Sequence, residues 1–158
     1  MEAGLLLAEH GDAAAAELKF LAAQSLCPAS AAPPRERAGL RFRAEDWAGA
    51  SRLAERSLRL DPSDVHTWRL LAGSRFLAGD TDGALSAWNQ VSEPRTDLVR
   101  IDGLSRIRYA AVANQLDLPT GFVLTPQAFR RARRRLAEMP AQLESGLSLR
   151  PAPGGSAQ

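Results

Sequence analysis

The chain has 158 residues, 45% of them apolar, and carries 20 basic against 18 acidic side chains, a net charge of +2. This is enough for one ordinary domain or two small ones with a core, and a near-balanced charge does not by itself point to a nucleic-acid partner. A single cysteine, Cys27, excludes an internal disulfide and a cysteine-built zinc site.

His10 and His66 lie far apart and have no ligand-like neighbours, so neither a metal nor a cofactor is expected. Lys19 is the only lysine. The arginine excess reads as the codon bias of a GC-rich genome, so arginine content alone is not recognition chemistry. Leu5-Leu6-Leu7-Ala8 is too short for a signal-peptide core and is flanked by Glu2 and Glu9. No run approaches the roughly 20 apolar residues of a membrane helix, so no transmembrane segment is expected.

In chain order, the first pattern is a period of 34. Gly4, Ala38 and Ala72 share a small-residue column. Asp12, Asp46 and Asp80 form another, followed by Ala16, Ala50 and Ala84, and then by Phe20, Ala54 and Trp88. Leu26-x-Pro28 and Leu60-x-Pro62 close the first two units. Small residues let helices approach, and large ones fill the space between neighbouring pairs. The aspartates stand where a helix begins, as N-caps. The prolines stop each unit, because the residue before proline disfavours helix. A fixed period of this size predicts an array of helix pairs.

The best-preserved copy, with Pro62, Trp68, Leu71, Ala72, Phe76, Gly79, Ala84 and Trp88, resembles the tetratricopeptide repeat (TPR) family over residues 1–93. Three helix-turn-helix units are expected there, the first of them truncated because Met1 falls partway along its first helix. An array that starts mid-unit leads us to expect a fragment of a longer protein or a misassigned start. The copies also depart from the family pattern. Arg41 and Arg75 stand in a column usually aromatic, and Glu45 replaces the turn glycine of the other copies, Gly11 and Gly79.

Residues 94–96 read as a linker after Ser92-Glu93. Beyond it, Leu98-Val99-Arg100-Ile101-Asp102-Gly103 alternates as a strand does. Arg106 to Leu116 reads as a helix with Ile107, Ala110, Ala111 and Asn114 on its apolar side. Thr125-Pro126 opens another helix with a cap and an N1 proline; its apolar stripe is Phe129, Ala132 and Leu136. Leu147-Ser148-Leu149-Arg150 alternates again, and Pro151 to Gly155 is a turn. The fold class expected for the whole chain is therefore mostly α: a helical array followed by a small, incomplete α/β segment of strand, helix, helix and strand over residues 97–158. Val99-Arg100-Ile101-Asp102-Gly103, Gly121-Phe122-Val123-Leu124-Thr125 and Leu136 resemble the start of a POTRA domain. That resemblance implies the periplasmic part of an outer-membrane barrel-assembly or two-partner-secretion protein, with the last strands and a barrel further along the gene.

No catalytic constellation is present, so the chain reads as a non-enzymatic protein. Gly154-Gly155 lacks the context of a phosphate loop, and Asp61 and Asp64 read as helix-start residues. Two surfaces remain. The TPR resemblance implies a groove along the first helices, carrying Arg35, Gly39, Phe42 and Arg43, then His66, Arg69, Gly73, Phe76 and Leu77. The family's carboxylate clamp uses asparagine where Gly39 and Gly73 stand here. What is left suits an acidic or aromatic peptide, while Phe42 and Phe76 equally fit packing between repeats. The second surface is the basic face of Arg130, Arg131, Arg134 and Arg135, continued by Arg133. No base-stacking aromatic interleaves it, so a solvated face is preferred over a phosphate-binding one and no nucleic-acid partner is expected. The expected function is a protein–protein interaction scaffold of a bacterial envelope protein, in the periplasm or at the outer membrane. The alternative is a cytoplasmic repeat adaptor for a peptide or protein, with an unrelated basic tail, or, less favoured, an RNA-associated protein using the arginine helix.

Overall fold

The computed structural model describes residues 1–102, 108–139 and 146–150. The described residues are mostly helical: α1 (Glu2–Glu9), α2 (Ala13–Leu26), α3 (Ala32–Arg43), α4 (Trp47–Leu60), α5 (Val65–Leu77), α6 (Thr81–Asn89), α7 (Tyr109–Leu116) and α8 (Pro126–Ala137). They divide into two compact units, Met1–Ala87 and Trp88–Gln158.

In the first unit, α1 packs on α2, α2 on α3, α3 on α4 and α4 on α5, and α3 also touches α5. The 34-residue aspartates are N-caps. Asp12, Asp46 and Asp80 accept from the backbone N–H of Ala15, Gly49 and Gly83 at 3.0, 2.8 and 2.8 Å. The turns before them need a left-handed residue. Gly11 and Gly79 take φ of +84° and +85° there, and Glu45 is forced to +58° in the same column. The alanine columns are closed: Ala16, Ala38, Ala50, Ala54, Ala72 and Ala84 are all fully buried. Size is exchanged between columns. Phe20 stands where the next copy has Ala54, and Gly4 makes room for it; a Cβ on Gly4 would come within 2.6 Å of the Phe20 ring. Phe20, Ala16 and Leu40 form one core cluster with Leu7 and Ala8 against it.

In the second unit, Val112 of α7, Leu116 of α7 and Ala132 of α8 are the buried centre. Val99, Ile101, Leu118, Leu136, Met139 and Leu147 pack around them. Thr125 caps α8 by accepting from the Ala128 N–H at 3.1 Å, with Pro126 at the start. The apolar side of α7 differs from the expected one. Ala110, Ala111 and Asn114 are exposed, and Ile107 lies outside the described residues. Val112 and Leu116 face inward instead, because two large apolar side chains one turn apart bury more surface than an alanine pair.

The expected strands do not form. Leu98–Asp102 and Leu147–Arg150 are coil, and Gly103 and the Pro151–Gly155 turn lie outside the described residues. An isolated antiparallel bridge joins Arg95 to Val123. Alternation marks a half-buried extended surface; a strand also needs a partner edge to hydrogen-bond. Among the described residues the α/β segment is therefore corrected to a helical pair flanked by chain outside any strand.

Candidate functional site

The candidate groove lies on α3 and α5. Arg35, in the first turn of α3, is held. Its Nε donates to Glu36 Oε1 at 2.9 Å, and its Nη1 reaches Asp64 Oδ2 at 3.3 Å. Asp64 is also the N-cap of α5, accepting from the Thr67 N–H at 3.2 Å and from the Thr67 hydroxyl at 2.7 Å. Partial burial opposes charge on both groups, but the partners outweigh it. Hydrogen bonds and the charges of Glu36 and Asp64 raise the Arg35 pKa further. The Thr67 hydroxyl and N–H, with Arg35, hold the Asp64 carboxyl below its ordinary value. Arg35 is thus a clip between helix starts.

Phe42 is half-buried and sits edge-on against Trp47, with centroids 5.1 Å apart and planes at 69°. Its ring would lie 3.5 Å from a Cβ on Gly73, so α3 and α5 meet at this column. Phe76 is half-buried as well. Arg43, His66 and Arg69 are exposed, and Leu77 is 50% exposed. Nothing stands within 4 Å of a Cβ built on Gly39, so the surface of α3 is open there. The exposed residues on this surface include Arg43, His66 and Leu77, around an unfilled position at Gly39.

Arg37, Arg41 and Arg75 are structural, and the period did not reveal this. Arg37 of α3 donates from Nε to Glu17 of α2 at 2.9 Å and from Nη1 to Gln24 Oε1 at 2.9 Å. Arg41 reaches Glu17 at 3.5 Å. Arg75 of α5 joins Glu55 of α4 at 2.7 Å and donates to the Gly83 carbonyl at 3.1 Å. Arg37 and Arg75 each bond an acid 20 positions earlier, in the second helix of the preceding pair. Arg41 and Arg75, which share a column of the 34-residue period, both pair with a glutamate of the preceding helix pair. The visible signal was an arginine and a glutamate at that spacing, which only the helix-pair geometry makes meaningful.

The basic face belongs to α8 in the second unit. Arg130, Arg131, Arg133 and Arg134 are exposed. Arg135 turns back to Asp117 Oδ2 at 3.1 Å and the Gln115 carbonyl at 3.3 Å, tying α8 to the end of α7. The described residues hold no group of three or more His, Cys, Asp or Glu placed to bind a metal. No described helix is long and apolar enough to cross a membrane. No protein-family model matches the sequence, and no curated protein is similar enough to count as a relative.

Proposed function

We propose that the protein is a non-enzymatic interaction scaffold whose helical array, of the tetratricopeptide type, takes an acidic or aromatic peptide across α3 and α5. The observation that supports this most is the open surface over Gly39, bordered by half-buried Phe42 and exposed Arg43. Glycine in the middle of a helix costs stability, and an open space above it fits a close-approaching ligand backbone. Arg43 and His66 supply donors for carboxylates, and Phe42 supplies a ring edge.

The test is titration of the labelled protein with a peptide pool rich in Asp, Glu and Phe, followed by NMR. Shifts are expected at Gly39, Arg43, Arg69 and Gly73. Gly39→Trp fills the space and is expected to abolish them with the fold intact. Shifts confined to other surfaces, or unchanged in that variant, would refute the groove.

The envelope setting is proposed from the POTRA resemblance of residues 96–158. Fractionation of cells expressing the native gene is the test. Recovery with the outer membrane is expected; recovery in the cytosol would favour a cytoplasmic adaptor.

A further inference from the structure

Helix α2 has two apolar sides, and the array uses one of them. Ala16 and Phe20 are fully buried in the core. On the opposite side Ala14, Leu18, Leu21, Ala22 and Leu26 are all exposed, Leu18 at 67% and Leu26 at 82%. Their spacing is that of a single helix face, and no charged residue interrupts it. The repeat shows that the fold does not require this face to be apolar. Leu18, Leu21 and Ala22 stand where α4, one period later, has Arg52, Glu55 and Arg56. Residues in equal columns look out on the same side of a repeat array. The apolar stripe of α2 and the exposed Arg52, Arg56 and Arg59 of α4 therefore share one side. The carboxylates of the two helices are engaged elsewhere: Glu17 is bound by Arg37 of α3, and Glu55 by Arg75 of α5.

We propose that this side of the array docks on an anionic lipid surface. Leu18, Leu21 and Leu26 enter the boundary between headgroups and acyl chains, and Arg52, Arg56 and Arg59 meet the headgroup phosphates. Two features select that occupant. Leucines this exposed stand out from the surface and suit a soft medium that they can enter, whereas a ring that receives a peptide is recessed, as half-buried Phe42 is. An uncharged apolar stripe beside a row of arginines also matches the two attractions of such a surface, apolar burial and negative charge. A second copy presenting the same side would offer leucines and no anion for the arginines.

The probe is a vesicle of phosphatidylcholine, alone or mixed with phosphatidylglycerol. The full chain is expected to sediment with the mixed vesicles and not with the neutral ones. Salt at about 0.5 M is expected to release it, since screening then acts within a few ångströms. Cys27 is exposed, is the only cysteine and directly follows Leu26. An environment-sensitive dye on its thiol is expected to shift to the blue on the mixed vesicles. Leu18→Ser with Leu26→Ser should weaken binding roughly tenfold or more. Arg52→Gln with Arg56→Gln and Arg59→Gln should weaken it by roughly 100-fold. All five side chains are exposed, so circular dichroism is expected to be unchanged in both variants. The proposal is overturned by equal binding to neutral vesicles, by no binding to the mixed ones, or by binding that survives both sets of substitutions. A dimer in vesicle-free solution that Leu18→Ser dissolves would overturn it too, and would assign the stripe to a second copy.

Discussion

Asp64 shows how much a single side chain carries in this array. It caps α5, accepts the Thr67 hydroxyl and pairs with Arg35 of the helix before it. Its pKa is below the ordinary 3.8, so the unfolded chain binds the proton more tightly than the folded one. The associated stability is fully present above pH 3.8 and is lost as pH falls through the folded value. Asp64→Asn is expected to flatten that acid limb in urea titrations across the series of pH values, while lowering stability at pH 7. An unchanged acid limb would show that other carboxylates dominate. Glu45 is the opposite kind of residue, held at φ +58° where the other copies have glycine. Left-handed backbone costs a non-glycine residue about 1–2 kcal/mol, partly offset by glycine's greater unfolded-state freedom, so Glu45→Gly is expected to stabilise by about 1 kcal/mol. Thermal melting checks it; a lowered Tm would mean the Glu45 side chain makes a compensating contribution.

At the scale of the element, α3 is the helix on which stability and binding meet. Its buried side, with Ala38 and Leu40, packs the array, and Arg37 locks it to Glu17 and Gln24 of α2. Arg37 is 14% exposed and Glu17 is 19% exposed, so the pair is sheltered enough to matter. Arg37→Ala leaves that carboxylate only its longer pair with Arg41 and is expected to cost about 1–3 kcal/mol, read from the shift in denaturation midpoint. The outer side of the same helix has the opposite behaviour. Gly39 sits mid-helix with open space above it, so Gly39→Ala should stabilise by about 0.5–1 kcal/mol while reducing peptide affinity. Stabilisation with undiminished affinity would locate the peptide elsewhere. The helix α8 is built on a different plan. Its inward stripe of Phe129 and Ala132 is closed, and its arginines face out except Arg135, which anchors on Asp117. That pair is exposed, with Asp117 at 59%, so Asp117→Asn is expected to change stability by less than about 1 kcal/mol.

Across the molecule, each helix of the first unit packs mainly on its sequence neighbours, so stability there is close to a sum of local units and interfaces. The column that holds Leu40 at 6% and Ser74 at 0% exposure leaves Leu6 at 52%. Phe20→Ala is therefore expected to raise hydrogen exchange in α1 and α2 first and to leave α4 and α5 protected at mild denaturant. Uniform loss of protection would mean the unit unfolds as one. The period of 34 by itself determined the helix pairs, their caps at Asp12, Asp46 and Asp80, and the closed alanine columns, because each depends on contacts between residues near in sequence. The Thr125-Pro126 start of α8 was legible for the same reason. Alternation in Leu98–Asp102 and Leu147–Arg150 determined which side is apolar and no more. Whether such stretches become strands depends on a partner edge that sequence does not encode locally, and among the described residues they lie outside any strand. The inward turn of Val112 and Leu116, the Arg35–Asp64 clip and the arginine stitches to Glu17 and Glu55 were likewise decided only in three dimensions. Each joins groups on different helices, and their distance is set by packing, which no spacing along the chain records.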